Sequence, residues 1–271
     1  MKGALIGDII GSSYEWRDTK TKKFELFTKY THPTDDSVMT LAVADTLIQN
    51  YPIKYTKTNL KKIQNDLINN MIEWFVKYPN AGYGGFFYKW LNGANKYKPY
   101  NSFGNGAAMR ISPVGWIANS LKEVKTLSKC VTEITHNHPE GIKGAEAVAT
   151  AIYFARKNKS KEYIAAYITL NYYHELFTLS YDDLLKNYKF DDSCQGSIPM
   201  AIYCFLISND FEDCLRTSIS IGGDSDTIAC IACSIAEAYY KQIPPYIEDT
   251  TLDYLDSNMR NTLEEFMKIR K

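Results

Sequence analysis

The sequence lacks an excess of charge of either sign. Lysine and arginine together number 31, aspartate and glutamate together number 31, and the formal net charge is +0. A protein that binds nucleic acid or an anionic membrane surface usually carries a basic patch that shifts this balance. We therefore expect neither as a direct partner, and any recognition of phosphate should be local.

Long apolar runs are also missing. The opening segment MKGALIGDIIGSS resembles an export signal at first sight, but Asp8 interrupts its apolar part. No run is long enough to translocate or to span a bilayer. The six cysteines, in a chain of 271 residues without an export signal, do not form the disulfide framework of a small secreted protein. The simplest expectation is a cytoplasmic protein with reduced cysteines.

One cysteine pair, Cys230 and Cys233, has the C-x-x-C spacing. A zinc site would need a second ligand pair, and a redox site would need a strand-to-helix context. Because free cysteine is usually buried, we expect the pair to pack in the core.

Strict alternation of polar and apolar residues, which is typical of a strand, is absent too, as are repeats, low-complexity tracts and linkers. Apolar residues instead recur at every third or fourth position, which predicts helices. In the segment NLKKIQNDLINNMIEWFVKYP the residues with this spacing are Leu60, Ile63, Leu67, Met71 and Phe75. The segments KEVKTLSKCVTEI, EGIKGAEAVATAIYFAR, SIPMAIYCFLIS and TLEEFMKIR show the same pattern. We predict an all-α fold, with residues 1–271 forming a single domain.

The first predicted helix is rich in glycine, since Gly3, Gly7 and Gly11 line one side of it. Glycine in a helix interior costs about 1 kcal/mol relative to alanine, so close approach of another backbone should offset that cost. Asp8 and Glu15 lie seven residues apart in the same predicted helix, nearly two turns, and therefore share a face. An acidic face on such a helix favours a functional role over simple solvation.

Two predicted buried helices each begin with a hydroxyl residue and a pair of acids. The residues are Thr34, Asp35 and Asp36 at one helix and Asp224, Asp226 and Thr227 at the other. Taken singly, helix capping explains them, because acids and hydroxyls in a first turn accept backbone N–H bonds. If the two helix starts meet, their carboxylates would raise one another's pKa unless cations neutralise them. An all-oxygen ligand set favours Mg²⁺, Mn²⁺ or Ca²⁺ over zinc, and two ions suit the number of ligands.

The segment NSFGNGAAMRISPVGW contains Gly104 and Gly106 on either side of Asn105, just before an alanine-rich helix start. Free backbone N–H groups at such a position can bind a phosphate. Turn formation explains most isolated G-x-G motifs. Phosphate binding by this loop is therefore supported only in combination with the acidic residues elsewhere in the chain.

The sequence resembles the ADP-ribosylglycohydrolase family, through five motifs in the family's order. They are GALIGDIIGSSYEW, PTDDSVMTLAVADTL, SFGNGAAMRISPVGW, THNHPEGIKGAEAVA and GGDSDTIACIACSIAEAYY, and they leave only the C-terminal helix after about Tyr240 outside the resemblance. The resemblance implies a compact, orthogonal all-α bundle whose central cleft holds two divalent cations, Mg²⁺ or Mn²⁺. It also implies hydrolysis of the N- or O-glycosidic bond between ADP-ribose and an acceptor, on a protein or a small molecule, with release of ADP-ribose.

The resemblance also implies roles for individual residues. Glu15 matches the catalytic glutamate, and His136 matches a histidine of the substrate cleft, with His138 as the alternative. The implied metal ligands are Thr34, Asp35, Asp36, Asp224, Asp226 and Thr227. The implied diphosphate loop consists of Ser102, Phe103, Gly104, Asn105 and Gly106. Glu237, late in its helix, is expected to be exposed and to have no part in the site.

Two other functions are compatible with the same residues. A dinuclear phosphohydrolase could use these ligands to activate water at phosphorus. A non-catalytic ADP-ribose-binding or toxin-neutralising protein could keep the fold, but the presence of Glu15 and of all six implied ligands argues against a decayed site. The sequence leaves open the acceptor linkage (arginine, serine, nucleobase or other), the choice between Mg²⁺ and Mn²⁺, and the oligomeric state.

Overall fold

The computed structural model describes residues 1–270, which adopt the predicted all-α fold. The helices are α1 (Lys2–Gly11), α2 (Asp35–Gln49), α3 (Lys57–Lys77), α4 (Gly85–Leu91), α5 (Gly106–Met109), α6 (Ser112–Ile117), α7 (Leu121–Thr132), α8 (Pro139–Arg156), α9 (Lys161–Asn171), α10 (Tyr181–Asn187), α11 (Cys194–Ile207), α12 (Phe211–Ser220), α13 (Ser225–Tyr240), α14 (Pro245–Asp253) and α15 (Ser257–Ile269). Two 3₁₀ segments lie at Ala94–Tyr97 and His174–Thr178. Within residues 1–270 the extended backbone forms one isolated bridge, between Gly104 and Ser193, and no strand.

Helix α13 lies at the centre of the fold. Every residue from Ser225 to Ala238 is buried, and helices α1, α8, α11 and α12 pack around it. The small side chains of this helix allow its neighbours to approach from several sides. Because these neighbours cover every side, the sequence of the helix has no face of exposed polar residues. The acidic residue in its first turn, Asp226, is therefore positioned by a helix that is buried in the core.

The helices predicted from apolar spacing are present. In α3, with 21 residues, Ile63, Leu67, Met71 and Phe75 are buried on one side, and Pro79 follows the end of the helix. None of the helices in residues 1–270 combines the length and the apolar character that crossing a membrane requires.

The glycines of α1 do face another backbone, as their spacing predicts. Gly3, Gly7 and Gly11 all lie against the main chain of α13. A Cβ atom built on Gly7 would overlap the carbonyl group of Ala229, and one built on Gly11 would lie 2.5 Å from the Cα atom of Asp226. Glycine at these positions thus sets the distance between α1 and the start of α13, and with it the position of Asp226.

Replacing Gly7 by alanine is expected to destabilise the protein by about 2 kcal/mol or more, because backbone atoms cannot yield to an added methyl group as a flexible side chain can. Urea unfolding would measure the change. Gly85→Ala is the matched control, since a Cβ atom there meets nothing within 4 Å. Equal stability of the two variants would contradict the close approach of α1 and α13.

Helix α1 ends at Gly11, so the prediction that Glu15 lies within the first helix is wrong. The Ser12 hydroxyl donates to the Ile9 carbonyl (2.9 Å), and Tyr14 N–H donates to the Gly11 carbonyl (2.7 Å) in a tight turn. Serine hydroxyls compete for backbone acceptors in this way and favour helix ends. Glu15 therefore lies on a turn after the helix.

Glu237 is buried rather than exposed, with 5 % of its surface accessible. Its carboxylate accepts hydrogen bonds from Gly3 N–H (2.8 Å) and from Nη1 of Arg270 (2.6 Å). The close packing of α1 against α13 brings Gly3 to it, and Arg270 reaches it from the end of α15. Glu237 lies at the C-terminal end of α13, the end away from Asp226, and stabilises the fold.

The six cysteines are buried and free of disulfide bonds. Cys230 and Cys233 lie in the interior of α13, where Cys230 Sγ is 3.3 Å from the Met109 carbonyl oxygen. The prediction that this pair packs in the core is confirmed.

Candidate metal centre and active site

The starts of α2 and α13 meet, as the metal hypothesis requires. The Thr227 hydroxyl on α13 donates to Asp36 Oδ2 on α2 across 3.2 Å, although the two residues are 191 positions apart in the chain. Both helices are buried at this end.

Five acidic side chains converge here and form two close groups of three carboxylates, with one residue common to both groups. Asp8, Asp36 and Asp226 make one group, and Glu15, Asp224 and Asp226 make the other. Within each group, one oxygen from every residue lies within 4.8 Å of the others. Asp226 belongs to both groups, so two neighbouring sites with a shared ligand are geometrically available.

Asp8 belongs to this cluster although the implied ligand set does not contain it. It is completely buried and accepts hydrogen bonds from Thr34 N–H (3.0 Å), from the Thr34 hydroxyl (2.5 Å) and from Ser37 N–H (3.0 Å). The aspartate of α1 thus fixes the start of α2. The sequence signal was an acid inside an apolar, glycine-rich helix, and only the contact with α2 defines its role.

Helix capping accounts for Thr34 but not for Asp224. The Thr34 hydroxyl accepts a hydrogen bond from Asp36 N–H (3.3 Å), whereas the Asp224 side chain makes no capping bond to α13. Instead, Asp224 Oδ2 accepts from the side-chain amide of Asn105 at 2.6 Å. Gly222 and Gly223, with φ of 71° and 75°, form the turn that delivers Asp224 to this position.

Within residues 1–270 none of these acids forms a salt bridge. Burial, followed by the charges of Asp224 and Asp8, raises the pKa of Glu15 to about 7. Burial and neighbouring carboxylates also raise the pKa of Asp36 and of Asp226 well above the usual value. Asp36 Oδ1 is buried and has no hydrogen-bond partner among residues 1–270. Such an all-oxygen cluster fits hard divalent cations.

Asp35 stands apart from both close groups. Its N–H donates to the Ala81 carbonyl (2.7 Å), and its Oδ1 atom lies 3.9 Å from the position of a Cβ built on Gly82. Burial, with the charges of Asp8 and Asp224, raises the pKa of Asp35 to about 8. The charges of the cluster therefore act on Asp35, although its own contacts are with Ala81 and Gly82.

The 102–106 loop is only partly free to bind an anion. Gly104 N–H donates to Ser102 Oγ (3.1 Å) and Asn105 N–H donates to the Asp192 carbonyl (2.7 Å), so these two groups are engaged. The Gly104 bond is local to the loop, and the Asn105 bond belongs to the bridge that the loop makes with the 191–194 segment. The N–H groups of Ser102, Phe103 and Gly106 have no acceptor among residues 1–270.

Both histidines lie next to this loop, but it is His136 that lies against its two glycines. His136 is buried, and its Nε2 atom is 3.4 Å from the position of a Cβ built on Gly106. His138 instead caps α8, since its Nδ1 atom accepts from Glu140 N–H at 3.1 Å. The ring of Phe103 packs edge-on against His138, with ring centroids 5.3 Å apart.

Comparison with known proteins gives a consistent picture. The sequence model of the ADP-ribosylglycohydrolase family matches residues 1–269. ADP-ribosylhydrolase ARH3 of Mus musculus is 27% identical, over 90% of this chain and 84% of that protein, and the Homo sapiens protein of the same name is 24% identical, over 96% and 90%. ADP-ribosylarginine hydrolase Tri1 of Pseudomonas putida (strain GB-1) is 20% identical, over 76% of this chain and 58% of its own length. A solved structure titled "ADP-ribosylglycohydrolase-related protein complex" has the same fold, with a TM-score of 0.71 and 20% identity over 98% of this chain and 95% of that one.

The family match extends further than the sequence motifs suggest. Two helices, α14 and α15, follow Tyr240, and the match to residue 269 includes both. The expectation that the C-terminal helix lies outside the resemblance is therefore wrong. Helix α15 packs against α2, which carries the acids of the site, so it is part of the same structure.

Proposed function

This chain belongs to the ADP-ribosylglycohydrolase family, and on that premise we propose that it is a metal-dependent hydrolase that releases ADP-ribose from an acceptor. The observation that carries the proposal is the pair of carboxylate groups that share Asp226. A family fold alone would not require five acids to converge in a buried volume. We take the functional unit to be the whole chain, 1–271, as one domain.

The residues proposed to hold two divalent cations, Mg²⁺ or Mn²⁺, come from both helix starts. They are Thr34, Asp35, Asp36, Asp224, Asp226 and Thr227, to which we add Asp8 as a residue that fixes the α2 half. The unpartnered Asp36 Oδ1 and the raised pKa values of Asp36 and Asp226 support this assignment. A cation would give the oxygen atom a partner and would offset the repulsion between the carboxylates. When bound, such ions would supply positive charge that offsets the repulsion between the carboxylates and orients ribose hydroxyls as ligands.

Glu15 is proposed to move the proton of the reaction. Hydrolysis forms a bond between water oxygen and the anomeric carbon and breaks the bond to the acceptor, so a proton must leave the water and another must reach the leaving group. Glu15 lies on a turn at the edge of the cluster, is only partly buried, and can contact solvent from there. Neighbouring carboxylates favour the oxocarbenium character of such a transition state.

The 102–106 loop is proposed to bind the diphosphate through the unpaired N–H groups of Ser102, Phe103 and Gly106. Asn105 has a different part, because its side-chain amide contacts Asp224 and Ser197. It joins the loop to the α13 half of the cluster, so that phosphate and metal sites keep a fixed separation.

Gly106→Val is expected to weaken ADP-ribose binding by about 1–3 kcal/mol, because the added side chain fills the space between the loop and His136 Nε2, 3.4 Å from the Cβ position, where the anion is proposed to bind. Gly106 does not have a positive φ, so the strain that could have made this variant misfold does not arise. Calorimetric titration with ADP-ribose measures the effect. Gly85→Val, at an exposed glycine with open space around it, is the matched control. Unchanged affinity in a folded Gly106→Val would remove the loop from the binding site.

The decisive experiment is product analysis with ADP-ribosylated peptides of defined linkage, each at fixed Mg²⁺ and at fixed Mn²⁺. Release of ADP-ribose with turnover supports the proposal, and arginine- and serine-linked substrates in parallel identify the acceptor. AMP or inorganic phosphate as product would identify a phosphohydrolase instead. Binding of ADP-ribose in equimolar amounts without turnover on any linkage would identify a binding protein.

A further inference from the structure

Arg110 is a completely buried cation that forms no salt bridge within residues 1–270. Burial lowers its pKa, although the charge of Asp35 acts on it in the opposite direction. It follows α5 directly, at the end of the GNGAAMR motif. Its Nη2 atom donates to the Thr135 hydroxyl (2.5 Å) and contacts His136 Nδ1 (3.2 Å), while Nε and Nη1 have no partner among residues 1–270. The Phe87 ring, whose centroid is 5.1 Å from the guanidinium carbon, covers one side. Burying an unpaired cation is costly, so a specific task should offset the cost.

We propose that Arg110 is a positioning residue that fixes His136 as the neutral tautomer with its proton on Nε2, so that the ring donates an N–H toward the 102–106 loop. A guanidinium has donors only, and an atom that faces it at 3.2 Å must therefore offer a lone pair. Nδ1 is that atom. The proton of a neutral imidazole is then left on Nε2.

The Thr135 hydroxyl completes the arrangement. Its oxygen is 2.8 Å from His136 Nδ1, and because it accepts from Arg110 it can donate its own proton to Nδ1, whose single lone pair then faces both the hydroxyl and the guanidinium. The opposite tautomer would place an Nδ1 proton against the guanidinium and would turn the Thr135 proton toward the Thr132 carbonyl, 3.5 Å away. That alternative loses the contact with Arg110 and gains a poor hydrogen bond. Burial and the charge of Arg110 also lower the pKa of His136 well below its usual value, which keeps the ring neutral.

The other side of the ring faces the loop. His136 Nε2 lies 3.4 Å from the position of a Cβ on Gly106 and 3.7 Å from that on Gly104. It has no hydrogen-bond partner among residues 1–270, and it is not among the fully enclosed polar atoms. The two glycines thus leave room beside a fixed N–H donor. On the proposed function, on which this last step rests, the donor would point at the diphosphate and would remain a donor at any neutral pH.

The tautomer can be read directly from the side-chain nitrogen shifts of ¹⁵N-labelled protein, without metal or substrate. The chain has four histidines, and loss of one set of signals in His136→Gln assigns the ring. We expect the Nε2-protonated form in the parent protein. An Nδ1-protonated or a doubly protonated His136 at neutral pH would overturn the proposal whether or not the protein binds ADP-ribose.

Three variants separate positioning from a purely structural role. Arg110→Met should let His136 populate the other tautomer and should raise the dissociation constant for ADP-ribose about 10–150-fold, the range of a hydrogen bond to a charged group. Arg110→Lys, which keeps a cationic donor, should restore the tautomer and most of the affinity. Thr135→Val should keep the Nε2–H form, because Arg110 remains. An unchanged tautomer in Arg110→Met, or a changed one in Thr135→Val alone, would overturn the assignment to Arg110.

Failure of the proposed function gives a different result. If the parent protein has the expected tautomer but does not bind ADP-ribose, the ligand is wrong and the role of Arg110 stands. If Arg110→Met does not fold, the parent spectrum and Thr135→Val still decide the question.

Discussion

Asp226→Asn should reduce turnover at least about 10³-fold, since loss of an outer-shell partner alone costs about 10–100-fold in metal affinity or activity. Asp226 is the residue common to both close carboxylate groups, so its substitution affects both proposed cation positions at once. The same change should abolish the rise in thermal stability that Mg²⁺ or Mn²⁺ gives the parent, which for a ligand at 100 times its Kd is about 2.7 kcal/mol.

In EDTA, where no metal is bound, Asp226→Asn is not expected to lower the stability of the protein. The raised pKa of Asp226 means that the folded state holds its proton more tightly than the unfolded state does, so the ionised group destabilises the folded protein as the pH rises above the unfolded pKa. Removing that charge should therefore leave the metal-free protein as stable as the parent or more stable at pH 7. Thermal melts with EDTA and with each metal measure both effects.

Asp249→Asn is the matched control for Asp226→Asn, because Asp249 is exposed on α14 and has no side-chain hydrogen bond within residues 1–270. It should melt like the parent under every condition. If Asp226→Asn still shows the full stabilisation by metal, the assignment of the carboxylate groups as a metal centre is incorrect.

Glu15→Gln should lower turnover by about 10²–10⁴-fold, the usual contribution of a general acid or base. Glutamine keeps the shape of the side chain and its hydrogen bonds but cannot accept or release the proton. The stabilisation by metal should persist, unlike in Asp226→Asn. Single-turnover rates and melts on the same preparations test both statements.

Glu25→Gln provides the comparison for Glu15→Gln, since Glu25 is exposed and lies only ten positions along the chain. A near-normal rate in Glu15→Gln would assign the proton transfer to another group. Loss of metal stabilisation in Glu15→Gln would make Glu15 a ligand, consistent with its place in the second carboxylate group.

The sequence predicted the all-α fold because apolar spacing is a local property. Each helix needs only its own residues to present one apolar side, and the segments NLKKIQNDLINNMIEWFVKYP and EGIKGAEAVATAIYFAR form α3 and α8 as expected. The glycine spacing of α1 likewise predicted a close neighbour, because a missing Cβ matters only where another backbone approaches.

The end of α1 could not be predicted in the same way. Ser12 bonds back to Ile9, and the Ser13 hydroxyl bonds to Thr28 and Thr31 at 2.9 Å each, so loop contacts stop the helix before Glu15. Side-chain bonds to a distant loop do not appear in a helical period. The burial of Glu237 was missed for the same reason, because its partners come from other helices.

The sequence by itself therefore determined the helices, the acids at their starts and the family to which these motifs belong. Only the tertiary structure decided that Asp36 and Thr227, 191 positions apart, are in contact, that Asp8 fixes the start of α2, and that Asn105 binds Asp224. The physical reason is range: helical period and capping act over one or two turns, whereas the contacts of the site depend on the packing of α1 and α2 around α13. Glycines on α1 permit that packing, and the geometry of the acids follows from it.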